Sequence, residues 1–77
     1  MNIDSTRFRE CVIKALKLRP GQYRPNLRMG DVDEWDSVAH LDLMSEMERE
    51  FGVQLNLDEM TTLTTLPDLL EWLERAK

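Results

Sequence analysis

Residues 36–52 read DSVAHLDLMSEMEREFG, and this stretch decides the fold class of the chain. Leu43, Met47 and Phe51 recur every four residues, so they share one face of a helix. The opening Asp-Ser pair favours a helix start, and the closing glycine is typical of a helix end. The stretch therefore predicts an amphipathic helix from about Ser37 to Phe51.

The residues before this stretch predict a first helix. Polar residues at positions 4–6 can cap its start, and the Arg-Pro-Gly sequence at 19–21 is expected to end it, because proline disfavours helical geometry in the residue before it. The apolar stripe of this helix consists of Phe8, Cys11, Val12, Ala15 and Leu16.

Residues 19–36 are predicted to form a loop that is longer than the usual connections of compact domains. The loop holds two prolines and two glycines, and loops of this length tend to be functional or disordered. Leu27, Met29 and Val32 are expected to lie against the core, and Trp35 is expected to pack there as well.

The residues after the stretch predict one short helix and one long helix. A helical turn is expected from Leu57 to about Thr61, and Thr65 is expected to cap the last helix. The apolar stripe of the last helix consists of Leu66, Leu69, Leu70, Leu73 and Ala76. The chain is therefore predicted to be one all-α domain over residues 1–77, a small bundle of three main helices plus one short helix.

Composition excludes several classes of protein. The chain has 77 residues and a net charge of −5, whereas nucleic-acid binders are normally basic. One cysteine and one histidine cannot form a disulfide or a zinc cluster, so no metal site is expected. No apolar run approaches the roughly 18 residues of a membrane-spanning helix, and the polar start does not resemble a secretion signal. We expect a cytoplasmic protein that makes no contact with membranes.

The charge is divided between the two halves of the chain. Residues 1–30 carry seven basic and two acidic residues, whereas residues 31–77 carry thirteen acidic and three basic ones. Such an acidic surface attracts basic partner surfaces. The alternative is a solvated face that only keeps the protein soluble.

Ser37 is the residue best suited to carry a modification. It lies where the long loop becomes a helix, so its hydroxyl should be exposed, and the free N–H groups and the helix dipole there favour a phosphate. Ser5 lies near the terminus and Ser45 lies inside the helix. The alternative is that Asp36 and Ser37 are simply a helix cap.

The sequence resembles the acyl carrier proteins. The resemblance covers nearly the whole chain: its length, the helix order, and the Asp36-Ser37-Val38 signature at the start of the second helix. The positions that also fit the family pattern are Leu43, Met47, Glu48, Glu50, Phe51, Gly52, the 63–66 segment, Asp68 and Leu69. By this match Ser37 bears a 4′-phosphopantetheine arm, with Asp36 as the flanking motif residue.

The signature differs from that of the commonest fatty-acid carriers. Trp35 precedes the Asp-Ser pair, and His40-Leu41 follows it, which resembles stand-alone carriers of specialised pathways such as polyketide or peptide assembly. The implied cargo is an acyl or aminoacyl group held as a thioester, and the sequence leaves the choice open.

The resemblance also implies a set of partners. A phosphopantetheinyl transferase would attach the arm from coenzyme A, and enzymes that load or transfer acyl groups would dock through basic patches. The expected partner-binding residues are Val38, Leu41, Asp42, Glu46, Glu48 and Glu50, with Asp36 beside them. The chain is expected to be a monomer without catalytic activity of its own. The competing interpretation is a small acidic interaction domain without a prosthetic group.

Two other chemistries fit the residues poorly. Ser37, His40 and an Asp could form a catalytic triad, but no oxyanion donors or enclosed pocket are evident. The acidic loop from Asp31 fails as a calcium loop, because Trp35 stands at its fifth position and its sixth position is not glycine.

Overall fold

The computed structural model describes residues 3–76. It contains four helices, α1 (Ser5–Leu16), α2 (Ser37–Phe51), α3 (Leu57–Thr62) and α4 (Leu66–Ala76). Within the described residues no strand forms, and Arg28 and Thr65 make an isolated bridge. The predicted all-α architecture is confirmed, and α2 has its predicted bounds.

Helix α1 begins as predicted but ends earlier than predicted. The Asp4 carboxylate accepts the N–H groups of Thr6 and Arg7 at 2.9 and 3.3 Å and so caps the start. The helix ends at Lys17, which adopts a left-handed conformation with φ 55°. Non-glycine residues adopt this conformation at a cost of roughly 1 kcal/mol. Leu18 follows it and is buried, and the core therefore ends the helix before Pro20 can.

The core is formed by one face of each long helix together with residues of the loops. The predicted core positions of α2 are all buried, and α1 packs against them. On the surface of this contact the Arg7 guanidinium lies 5.2 Å from the centre of the Phe51 ring. The buried apolar residues are Phe8, Cys11, Val12, Leu16, Leu18, Leu27, Trp35, Leu43, Met44, Met47, Phe51, Leu55, Leu66, Leu69 and Leu73.

The long loop is tied to the start of α4 by backbone hydrogen bonds. The N–H of Met29 donates to the Thr64 carbonyl at 2.9 Å, and the N–H of Leu66 donates to the Leu27 carbonyl at 3.0 Å. Leu27 is fully buried, as expected, and Val32 packs against the core while half-buried. The expectation for Met29 was wrong, because its backbone makes the contact and its side chain is exposed.

Helix α4 follows its predicted stripe except at the end. The Thr65 hydroxyl accepts the N–H of Asp68 at 3.1 Å, which confirms the predicted cap. Leu70 packs against the core while half-buried, and Ala76, in the last turn beyond the buried Leu73, is exposed.

Helix α3 is held differently from the other three, because none of its residues is buried. Asn56 and Glu59 form a reciprocal capping box at its start. The second Glu59 oxygen accepts the indole N–H of Trp72 on α4 at 2.7 Å. Polar contacts therefore add to the packing of the half-buried Met60 and Leu63 against the core.

Phe51→Ala should lower the free energy of unfolding by about 3–5 kcal/mol, because the change leaves a cavity in the core. That loss equals roughly the net stability of a core this size. Circular dichroism should show a melt without a cooperative transition. Leu57→Ala is the control, since that side chain is 74% exposed, and it should change stability by about 0.5 kcal/mol or less. A Phe51→Ala melt that overlays the wild type would contradict the core position.

Candidate functional site

The start of α2 leaves the Ser37 hydroxyl free. Asp36 is the cap: its Oδ1 accepts the N–H of Ala39 at 2.8 Å, and its carbonyl accepts the N–H of His40 at 2.9 Å. Ser37 is the first helical residue and is exposed. Its hydroxyl makes no hydrogen bond within residues 3–76. One residue caps the helix and the next presents its side chain to solvent.

The same turn presents unpaired backbone donors. Within the described residues, the N–H groups of Ser37 and Val38 donate no hydrogen bond, because Asp36 accepts only from the third and fourth residues of the turn. Free N–H groups at the positive end of a 15-residue helix favour an anion. A phosphodiester on the Ser37 oxygen would lie beside these donors, so the residues present fit such a group.

The segment before Ser37 is anchored through Trp35. As expected, this side chain is packed, and it is fully buried. The Trp35 carbonyl accepts the N–H of Gly30 at 3.0 Å, and the Trp35 N–H donates to the Val32 carbonyl at 3.1 Å. The loop therefore ends in a defined turn that delivers Asp36 and Ser37 to the helix start.

His40 is buried and engages both of its ring nitrogens. The Trp35 indole N–H donates to Nδ1 at 3.0 Å, and Nε2 lies 2.6 Å from the Met60 carbonyl oxygen. The ring therefore has no free nitrogen to act as a base for Ser37, and the triad considered from the sequence is ruled out. The sequence pattern did not reveal the structural role of His40.

A local signal could have revealed that role. Trp35 precedes the capping residue and His40 is the fourth residue of the helix. A hydrophobic staple joins these two positions across a helix start. Here the rings are 5.9 Å apart between centroids, and a hydrogen bond adds to their contact.

Two apolar residues of α2 are exposed near Ser37. The exposed fractions are 71% for Val38 and 56% for Leu41, and both lie off the buried face, as the sequence predicted. Met44 is fully buried and belongs to the core.

The acidic residues of α2 differ from one another in exposure and in their partners. Asp42 is exposed and makes no hydrogen bond or ion pair within residues 3–76. Glu46, by contrast, is half-buried and pairs with Arg49. The expectation that this carboxylate would be exposed was therefore wrong, because it lies half-buried on α2.

Glu48 and Glu50 also have partners within the chain. Glu48 is half-buried, and its Oε2 accepts the N–H of Leu55 at 2.7 Å, which fixes the connector after α2. Glu50 is exposed but accepts the Arg7 guanidinium at 2.8 Å and so joins α2 to α1. These carboxylates support the fold; Glu50 is exposed, as expected, and a docking role for either residue stays a prediction.

The thiol of Cys11 is a second potential nucleophile, and it is shielded from solvent. Cys11 is buried in the core, as predicted. Burial, with the carboxylates of Glu46 and Glu50 adding to it, raises the pKa of its thiol to about 11. The thiolate is the reactive form, so Cys11 is inert near neutral pH.

A comparison with models of known protein families identifies the family of this chain. The sequence model described as a phosphopantetheine attachment site matches residues 6–73. The chain belongs to the phosphopantetheine attachment family. Members of this family bind 4′-phosphopantetheine covalently and act as carriers without catalytic activity. The protein is therefore a phosphopantetheine carrier, and the competing interpretation as an acidic interaction domain without a prosthetic group is not supported.

The described part of the carrier holds neither a metal cluster nor a membrane span. Within residues 3–76, no group of three or more His, Cys, Asp or Glu side chains is placed to hold a metal ion. In the same range, none of the helices has the length and apolar character needed to cross a membrane.

Glu34, two residues before the cap, offers a test of the anchored loop. The Gln22 amide donates to its carboxylate at 2.9 Å, and Arg19 lies 3.4 Å from it. The Gln22 hydrogen bond is the largest cause that lowers the pKa of Glu34, with Arg19 adding to it. Ionised Glu34 therefore stabilises the fold above its unfolded-state pKa, and this contribution is lost as the pH falls through the folded-state value.

Gln22→Ala should raise the pKa of Glu34 toward its ordinary value, because the change removes the main hydrogen bond to the ionised form. An NMR titration of the carboxyl carbon measures this pKa. Gln54→Ala, which removes an exposed glutamine that does not contact Glu34, is the control and should leave the pKa in place. An unchanged pKa in Gln22→Ala would mean that the loop is not anchored in solution as it is here.

Proposed function

We propose that Ser37 is the attachment point of the arm. The chain has three serines, and a position at the start of a helix does not distinguish Ser37 from Ser5. Ser5 also follows a capping aspartate and is exposed at the start of a helix. The place of Ser5 near the terminus therefore does not by itself set it apart from Ser37.

Two observations favour Ser37 over the other serines. Asp4 occupies the N–H groups of both the second and third residues of α1, whereas Asp36 leaves the first two N–H groups of α2 free. Ser5 lies outside the residues matched by the family, and Ser45 lies within α2, where helical hydrogen bonds occupy the backbone.

The attachment is a phosphoryl transfer onto the serine oxygen. The Ser37 Oγ forms a bond to the β-phosphorus of coenzyme A, and the bond from this phosphorus to the bridging oxygen breaks. Adenosine 3′,5′-bisphosphate leaves, and the hydroxyl proton passes to a base of the transferase. The arm supplies a thiol that holds an acyl or aminoacyl group as a thioester.

The proposed role is delivery of this cargo to enzymes of fatty-acid, polyketide or other specialised biosynthesis. The Trp-Asp-Ser signature and the His40-Leu41 pair favour the specialised pathways. The cytoplasmic location remains a prediction from the sequence. We also propose a monomer, since the exposed large apolar residues of the described chain are few and obligate interfaces bury extended apolar areas.

The proposed docking surface is narrower than the one predicted from the sequence. Asp36, Val38, Leu41 and Asp42 are exposed around Ser37 and combine apolar contact with negative charge. A partner would match them with an apolar patch edged by lysine or arginine. The charges of Glu46, Glu48 and Glu50 add to the field, while their side chains serve the contacts described above.

Incubation with coenzyme A, magnesium and a broad-specificity phosphopantetheinyl transferase should add one phosphopantetheinyl mass to the protein. Intact-mass spectrometry measures the addition. Ser37→Ala should abolish it, and Ser5→Ala, the matched control at the other Asp-Ser pair, should leave it complete. The thiol of the attached arm should also react with a thiol reagent at neutral pH, whereas Cys11 should not react. If the mass addition persists in Ser37→Ala and is absent in Ser5→Ala, the attachment point is Ser5 on α1.

Asp42→Lys should slow this transfer at low salt, because exposed charges act mainly on the rate of encounter. The difference from the wild type should shrink as salt rises, since the screening length falls to about 3 Å at 1 M. Transfer rate against salt concentration is the measurement. Glu74→Lys makes the same charge change at an exposed position of α4 and should transfer at the wild-type rate. Equal rates for the two variants would show that Asp42 is only part of a solvated surface.

A further inference from the structure

A chain of two hydrogen bonds links the loop, α2 and α3 beside Ser37. The Trp35 indole donates to His40 Nδ1, and His40 Nε2 contacts the Met60 carbonyl of α3. Trp35 and His40 are 0% and 5% exposed, so water does not compete for these bonds. Ser37 lies between the two aromatic residues in the sequence, on the turn that they enclose.

The hydrogen bonds determine the form of the imidazole. An indole N–H can only donate, so Nδ1 accepts and the ring proton resides on Nε2. Nε2 then donates to Met60, whose carbonyl is among the last four of α3 and has no partner within that helix. The neutral ring with its proton on Nε2 satisfies all three groups, and no buried side-chain polar atom of the described residues is left without a partner.

The turn that carries Ser37 is connected to the rest of the fold by these two hydrogen bonds. The Met60 carbonyl contact attaches α3 to α2, beside the packing of the half-buried Met60 side chain against the core. Trp35 is two residues before Ser37, and its indole direction is set by the bond to His40. Loss of that bond would leave the buried indole N–H unsatisfied and favour a shift of the turn.

We propose that His40 is a positioning residue for the transfer of the arm to Ser37, acting through its hydrogen bond to Trp35. The inference rests on Ser37 being the attachment point. The bond holds the turn so that the Ser37 hydroxyl faces the transferase in a reactive direction, while Val38, Leu41 and Asp42 make the contact that binds the enzyme. His40 thus affects the chemical step and leaves binding unchanged.

Two variants of His40 separate positioning from stability. His40→Asn places an amide oxygen near the Nδ1 position and keeps an acceptor for Trp35, but it loses the Met60 contact. His40→Gln places an amide nitrogen near the Nε2 position and keeps a donor for Met60, but it loses the Trp35 contact. Each variant loses one buried hydrogen bond, so a purely structural role predicts similar melting temperatures and similar transfer rates for both.

The proposal predicts different transfer rates. The kcat of the transferase with His40→Gln should fall about ten- to a hundredfold, since small misplacements of reacting groups have effects of this size. The KM for the carrier should stay unchanged, and His40→Asn should restore most of the kcat. Circular dichroism at the assay temperature gives the folded fraction of each variant, and rates are compared per folded molecule.

A matched pair of tryptophan variants tests whether transfer depends on the indole N–H that donates to His40. Trp35→Phe and Trp72→Phe each remove one indole N–H, from His40 and Glu59 respectively. Trp35→Phe should lower kcat as His40→Gln does, and Trp72→Phe should leave it at the wild-type value. Equal kcat in His40→Asn and His40→Gln, or wild-type kcat in Trp35→Phe, would overturn the proposal.

NMR of the unmodified protein gives a readout that needs no transferase. The Trp35 indole proton should exchange slowly with solvent in the wild type and in His40→Asn, and quickly in His40→Gln. Fast exchange in the wild type would overturn the proposal. A wrong attachment site would give a different result. The wild-type protein would then show no loading at Ser37 even after the transfer reaction is complete, whatever the exchange rate of the indole proton.

Discussion

The fully buried indole of Trp35 is the constraint on which the arrangement around Ser37 depends. A tryptophan in the core must find an acceptor for its N–H, because a buried donor without a partner costs about 1–3 kcal/mol. His40 supplies that acceptor from the first turns of α2. Its remaining nitrogen then requires an acceptor of its own, which α3 supplies. The placement of one aromatic ring thus links the end of the loop to the first turn of α2 and, through His40, to α3.

Folding pairs part of the unevenly distributed charge, because three of the seven basic residues of the first part form ion pairs with acidic residues of the second part. Basic residues of the first part reach acidic residues of the second part, as in the pairs Arg7–Glu50 and Arg19–Glu34. Exposed pairs of this kind contribute little to stability individually, about 0–1 kcal/mol. Their larger effect is to select which acidic side chains stay available, and Asp42 is one that has no partner within residues 3–76.

The two Asp-Ser pairs show that local chemistry does not identify a modification site. Asp4 and Asp36 both cap a helix, and the serine after each is exposed. The first turns of α1 and α2 differ in the number of backbone N–H groups that the aspartate side chain accepts. They also differ in the residues that surround the serine. A phosphate needs free donors, and a partner enzyme needs a surface, and the start of α2 has both.

The sequence by itself determined the helices and the buried face of α2, because apolar spacing and capping residues act within a few positions of the chain. The Asp36-Ser37-Val38 signature also indicated the carrier family, since its residues are consecutive and stand at the start of that helix. The tertiary structure decided the rest. Arg7 and Glu50 are 43 residues apart, and no spacing rule predicts that they meet. Glu48 belongs to an acidic run that is typical of a solvated face, and only the fold places the Leu55 N–H against its carboxylate. The role of His40 depends on Met60 of a different helix, since a hydrogen bond forms where folded elements bring a donor and an acceptor together.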